Sequence, residues 1–211
     1  MSATHYLTAE SVSPKHPDKL CDQISDAILD AYLSEDSAAR VAIEAVGGHG
    51  KVFITGEVTS GAHVDIEPIV ARLAGDIEVT VHVVKQSPEI AAGVDTGGAG
   101  DQGIMVGYAC NETPEFLPLE VVLSRQLNQC LFERWAFDGK TQVTLRDGRI
   151  ATIVASFQNA KTDELRAAAE EWVTLQEVQK VDQVLFHINP CGDWHQGGFD
   201  ADAGLTGRKI V

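Results

Sequence analysis

Five glycines fall among the eighteen residues from Gln86 to Gly103, and the stretch follows neither a period of two nor one of 3.6. This break is what most limits the architecture, because the hydrophobic pattern on either side of it runs through the same order of elements. Before it come a short strand (His5 to Thr8), a helix opened by Pro17 with Leu20, Ile24, Ile28 at helical spacing, and strands Val41–Val46 and Val52–Thr59. Gly47-Gly48-His49-Gly50 between those strands is a hairpin signal. A helix near Val64–Leu73 and a strand at Ile77–Val84, with five β-branched valines or isoleucines in eight residues, complete the half. After the break come a strand at Ile104–Ala109, a helix at Leu119–Trp135, and strands Gln142–Leu145 and Ile150–Phe157 around Arg146-Asp147-Gly148-Arg149. A helix near Asp163–Val178 and a strand at Val184–Ile188 follow.

Each half therefore reads β-α-β-β-α-β, and the predicted fold class is α+β in two layers, with two such units in tandem. The predicted boundaries are 1–85 for the first unit, 86–103 for the connecting loop, 104–190 for the second unit and 191–211 for a Gly-rich, polar tail. That tail ends in Arg208-Lys209-Ile210-Val211, read as the beginning of a third unit. A long loop in a compact protein is usually functional, so 86–103 is expected to be mobile over a site.

Charge narrows the function. Sixteen Lys and Arg against thirty-one Asp and Glu give a net charge of −15, a field that repels phosphate backbones and argues against general nucleic-acid binding. No apolar run is long enough to span a bilayer, and Met1 to Leu7 lacks the basic and apolar regions of a secretory signal, so a cytoplasmic protein without membrane contact is expected. The four cysteines, Cys21, Cys110, Cys130 and Cys191, form no CxxC pair, which gives zinc or redox clusters little support. Cys21 and Cys130 fall in apolar helical patterns and read as small core residues. An anion bound by this chain needs a few well-placed cations or metal ions.

Several constellations offer them. His16-Pro17-Asp18-Lys19 is a well-made helix start, with proline preorganised in the first turn and Asp18 at the positive end of the helix. It also places proton-bearing groups and a hard oxygen donor where a metal-bound phosphate fits. Glu44 and Glu57 interrupt apolar strands; they either face solvent or meet a cation or a ligand. Gly97 to Gly103 is a flexible hairpin or a gate, Phe137-Asp138-Gly139-Lys140 has the form of a tight turn, and Gly207-Arg208-Lys209 is a solvated end or a phosphate clamp.

The order of these segments resembles the S-adenosylmethionine synthetase (methionine adenosyltransferase) family. The resemblance rests on Thr8-Ala9-Glu10-Ser11-Val12-Ser13, His16-Pro17-Asp18-Lys19, Gly56-Glu57-Val58-Thr59, Lys85-Gln86-Ser87-Pro88, 98–103, Gly107-Tyr108-Ala109-Cys110-Asn111-Glu112-Thr113, 138–143, Ile188-Asn189-Pro190 and 204–210. It implies formation of S-adenosylmethionine by attack of the methionine sulfur on C5′ of ATP. The triphosphate is displaced whole and then hydrolysed to phosphate and pyrophosphate. No covalent nucleophile is needed; alignment and stabilisation of the leaving triphosphate carry the catalysis.

Carried over by motif, His16 contacts the triphosphate at its bond to C5′, and Lys140, Arg208 and Lys209 join it as catalytic cations. Lys19, Asp138, Trp194 and Asp202 complete the ATP site. Glu57, Gln86 and Asp202 are implied for methionine, Gln86 and Asp101 as anchors of the gating loop, Asp18 as a Mg²⁺ ligand and Glu44 as a K⁺ ligand. Family sites form between two subunits, so a homo-oligomer is implied, or a hetero-oligomer with a chain supplying a third unit. The family's fold is three similar units, of which the two patterns here are two. Asp193-Trp194 stands where the family usually has Arg-Phe, and the connections before Gln86, within 86–101 and before Asp138 are short. The alternative to a synthetase is a non-catalytic relative that binds and regulates a full-length one.

Overall fold

The computed structural model describes residues 4–100 and 102–209. Its elements run β1 (Tyr6–Val12), α1 (Pro17–Glu35), β2 (Arg40–Gly48), β3 (Lys51–Thr59), α2 (Ile66–Ala74), β4 (Glu78–Val84), α3 (Pro88–Asp95), α4 (Leu119–Arg134), β5 (Gly139–Arg146), β6 (Arg149–Phe157), α5 (Thr162–Leu175), β7 (Lys180–Ile188) and β8 (Gly204–Leu205), with a 3-10 turn at Gly198–Asp200. The expected mixed α/β, two-layer architecture is present, as two four-stranded sheets ordered β1-β5-β6-β7 and β4-β3-β2-β8.

The sheet order corrects the contiguous units read from the sequence. Chain contacts divide the molecule into Met1–His16 with Ala109–Asp202, and Pro17–Tyr108 with Ala203–Val211. β1, read as the opening strand of a unit 1–85, instead pairs antiparallel with β5 over seven residues, from Tyr6↔Arg146 to Val12↔Lys140. Ile104–Ala109, expected to open the second unit, forms no regular element; Ile104, Met105 and Val106 are 95%, 94% and 90% exposed. A β-rich run states that a segment suits a sheet, not which edge it joins. Here Tyr6–Val12 holds the edge of β5. In the other sheet the edge of β2 is held by β8, through Val46↔Leu205 and Gly47↔Gly204.

In the first compact unit, strict alternation in β5 sends Thr141, Val143 and Leu145 inward and leaves Lys140, Gln142 and Thr144 on the other face. Leu123, Leu127 and Leu131 of α4 meet that inner face at helical spacing, and Leu165, Ala169 and Trp172 of α5 complete the core. Truncating Leu127 there to alanine is expected to cost about 2–5 kcal/mol. The β5–β6 turn uses Asp147 (φ 50°) and Gly148 (φ 75°), the left-handed pair that a two-residue hairpin requires.

The second unit repeats the logic with Leu20, Ile24 and Ile28 of α1 against Ile43 and Ala45 of β2 and Val52 and Ile54 of β3. Its outer face carries Ala42, Glu44, Phe53 and Glu57. The stretch from Gln86 is not wholly irregular: Ser87 caps α3 by accepting from Ile90 N–H at 3.3 Å, and Pro88 occupies the first turn. The glycines beyond it fold back on that helix, since a Cβ at Gly98 would stand 2.7 Å from Gly93 O. The predicted gate anchor Asp101 lies outside the described residues, as do Ile210 and Val211 of the tail.

Candidate functional site

The predicted site residues fall into three clusters, each contained in one unit. In the first unit, Gly139 opens β5, and Asp138 stands in the bend just before it. Gly139 lies against the ring of Phe157, where a Cβ would come within 2.4 Å, so only glycine lets the strand start there. That start puts Asp138, Lys140, Ser156, Trp194 and Asp202 around a cavity of about 370 Å³, walled also by Pro190, Cys191 and Gln196.

Asp138 is 7% exposed; its Oδ2 accepts from Gly198 N–H at 2.9 Å, while Oδ1 is buried with no partner. Trp194 Nε1 is likewise buried and unpartnered. An unpaired acceptor and an unpaired donor thus belong to two residues that line one cavity.

The wall is held by residues the sequence reading left without a role. Asn189, in the left-handed region at φ 40°, accepts at Oδ1 from Phe157 N–H (3.2 Å) and donates through Nδ2 to Ala160 O (3.0 Å), pinning the loop to the end of β6. Gln158 donates to His195 O at 2.9 Å. Buried Ser13 donates to Phe137 O at 2.8 Å and its N–H to Gly139 O at 2.8 Å, while His16 N–H donates to Ser13 O at 3.1 Å. Ser13 thus ties the segment carrying buried His16 to the start of β5. Only its place in a matched motif, Glu10-Ser11-Val12-Ser13, marked it beforehand.

Asp193 takes a structural role. Its Oδ1 accepts from Thr162 Oγ1 at 2.6 Å and Thr162 N–H at 2.9 Å, so it caps α5 from a distant loop. Those two bonds, the hydroxyl first, hold its carboxyl below the usual range.

The second cluster lies in the other unit at the start of α1. Asp18 is 2% exposed. Its Oδ1 accepts from Leu205 N–H at 3.0 Å, its Oδ2 from Lys209 Nζ at 3.1 Å, and Arg208 approaches at 3.4 Å. Burial raises the Asp18 carboxyl, but the Leu205 N–H and the two cations outweigh it, and the group stays below the ordinary range. Lys19 donates to Asp22 at 3.2 Å and to Lys209 O, and Gly207 N–H donates to Asp22 at 2.8 Å. Gly204 makes this docking possible: a Cβ there would lie 2.2 Å from Pro17 C and O. The predicted clamp cations are therefore docked on the predicted metal-ligating carboxylate.

The third cluster is in the same unit at one end of the outer sheet face, where Glu57 and Gln86 share a cavity of about 310 Å³ with Arg40, Val41 and Ala42. Gly56, at φ 143° and with Ala42 O at 2.0 Å from where a Cβ would sit, lets β3 lie close to β2 beside Glu57. Glu44 is exposed on the same face, across from Thr55. Among the described residues no three His, Cys, Asp or Glu side chains gather as a metal cage, and no helix is long and apolar enough to cross a membrane.

The two sheets and the three polar clusters define a mixed α/β protein, and comparison with known proteins gives the family. The model of the S-adenosylmethionine synthetase N-terminal domain matches residues 4–91, and that of the central domain matches residues 96–194. Two curated relatives named S-adenosylmethionine synthase align, from Synechococcus elongatus (39% identical, covering 100% of this chain) and Prochlorococcus marinus (41%, covering 97%). The chain belongs to the S-adenosylmethionine synthetase family. It spans 64% of the length of each of these relatives. The alignments run over 269 and 261 positions, because the relatives carry residues within the matched span that this chain lacks.

Proposed function

We propose that this chain supplies the ATP and methionine subsites of a methionine adenosyltransferase, forming S-adenosylmethionine from ATP and L-methionine, and that it acts in an oligomer. The oligomer consists of further copies of this chain or of a chain that contributes a third unit. The observation that carries the reading is the cavity behind Asp138, with its buried, unpartnered Oδ1 and Trp194 Nε1, in a chain of this family. The indole suits stacking on an adenine ring, and the unpaired carboxylate oxygen suits a hydroxyl or amine donor of the nucleoside. Exposed Lys140 on the rim suits the phosphates.

Methionine is assigned in this reading to the Glu57–Gln86 cavity, where Glu57 takes the ammonium. The sulfur lone pair attacks C5′, the C5′–O bond breaks, and its electron pair leaves with the triphosphate; water then divides the triphosphate into phosphate and pyrophosphate. His16 stabilises the leaving oxygen, and Lys19, Arg208 and Lys209 hold the phosphates. The 86–103 segment, anchored by Gln86 and Asp101, gates access.

Asp18 fits Mg²⁺, an ion commonly held by one or two carboxylates plus substrate phosphates and water. When bound there, Mg²⁺ neutralises charge on the leaving triphosphate. Binding of phosphates would draw Arg208 and Lys209 off Asp18 and free its oxygens for the ion. Glu44 is the residue proposed for K⁺.

Calorimetry with ATP and Mg²⁺ tests the reading. The wild-type chain is expected to bind the nucleotide and Asp138→Ala to bind it at least tenfold more weakly. Absence of nucleotide binding by the wild type would favour a regulatory relative instead.

A further inference from the structure

The Glu57–Gln86 cavity contains a cation that no motif in the sequence singled out. Arg40, the first residue of β2, lies across from Thr59 and two pairs along from Ala42↔Glu57, so it shares the face that carries Glu57. Its Nη1 donates to Asp95, the last residue of α3, at 2.6 Å. Its Nε is buried with no partner, and Gln86 Oε1 in the same cavity is buried with no partner either. No ion pair joins Arg40 to Glu57.

The cavity thus presents an unpaired guanidinium donor, an unpaired amide acceptor and a carboxylate that enters no ion pair among the described residues. The ligand complementary to that set has one anionic group with two acceptor oxygens and, close by, a positively charged donor. An α-amino acid zwitterion has this pattern. Asp95 occupies one terminal nitrogen of Arg40, which leaves the Nε–Nη2 edge, the fork that matches a carboxylate bidentately.

We propose that Arg40 is the carboxylate-binding residue of the amino-acid subsite and selects α-amino acids bearing a free carboxylate. This rests on the reading of that cavity as the methionine subsite. Because the same guanidinium holds Asp95, an amino acid seated on Arg40 also fixes the end of α3, and with it the segment that continues through Gly97 to Gly100.

The test is calorimetry on the full chain with L-methionine and L-methioninol, in which a hydroxymethyl group replaces the carboxylate. The wild type is expected to prefer methionine by roughly tenfold to a hundredfold. In Arg40→Gln, of similar length and uncharged, the preference is expected to fall within about twofold while methioninol affinity is kept. Arg40→Lys, which retains charge without the fork, is expected to fall between. An unchanged preference in Arg40→Gln, or an equal loss for both ligands, overturns the proposal and leaves the methionine subsite standing. Wild-type chain that binds neither ligand up to about 10 mM overturns both.

Discussion

Lys209 Nζ donates to Asp18 Oδ2 over 3.1 Å, joining residues 191 positions apart and fastening the 204–209 segment to the first turn of α1. The contact holds Arg208 and Lys209 of the tail on a buried carboxylate. Asp18→Ala removes the acceptor of the Leu205 N–H and both cation contacts, a loss on the order of 1–3 kcal/mol locally. Hydrogen exchange at Leu205 and Gly207 is expected to accelerate about tenfold or more; unchanged exchange would show that the segment docks by other means.

Gly204 occupies a gap that no side chain fits, with Pro17 C and O each 2.2 Å from a hypothetical Cβ. Gly204→Ala must therefore push β8 off β2 or displace the start of α1, at a cost of about 1–3 kcal/mol. A thermal melt is expected to show a lowered Tm for this variant, and a Tm equal to the wild type would contradict the packing described.

Asp193 gives the fold an acid-sensitive helix start. Its pKa is lowered by the Thr162 hydroxyl and N–H, so its stabilising contribution is present above the unfolded carboxylate value of about 3.9 and is lost as pH falls through the lower folded value. The protection factor of the Thr162 amide, taken against its intrinsic exchange rate at each pH, is expected to be high at neutral pH, to fall as the pH drops below the ordinary carboxylate value of about 3.9, and to be low at both in Asp193→Ala. A Thr162 protection factor that is the same at neutral and acid pH would contradict the cap.

The cysteines are expected to react very unequally. Burial first, with Asp18 and Asp22 nearby, pushes the Cys21 thiol up to about 12, and burial raises Cys130 also. Cys191 is exposed on the wall of the Asp138 cavity. Iodoacetamide at pH 8 followed by mass spectrometry should label Cys191 and spare Cys21, and ATP with Mg²⁺ should slow the labelling of Cys191. Equal labelling of Cys21 and Cys191 would contradict the burial; ATP-independent labelling would contradict nucleotide occupancy of that cavity.

Element types were largely readable because periodicity is local: Leu20-Ile24-Ile28 and the alternation in β5 both predict what forms. Edge pairing was not, since Tyr6–Val12 and Ile104–Ala109 carry similar β signals and only long-range packing chooses between them. α3 was not read from the sequence: Ser87-Pro88-Glu89 has the form of a helix start, but the glycines that follow break the helical period. Among site residues, acidic and basic side chains in motifs stand out, while Ser13, Gln158 and Asn189 act through backbone bonds that no spacing encodes. Arg40 begins a strand without any pattern around it, and its significance rests on Glu57 and Gln86 arriving from two other segments.

The activity proposed for these clusters is transfer of the adenosyl group to methionine. Its most direct measurement is S-adenosylmethionine formation from ATP, L-methionine, Mg²⁺ and K⁺, by the chain alone and with an added polypeptide carrying the family's third unit. S-adenosylmethionine with equal amounts of phosphate and pyrophosphate is expected in at least one of these conditions, and its formation is expected to be abolished by His16→Ala. No product in either condition, or full activity in His16→Ala, would contradict this proposal.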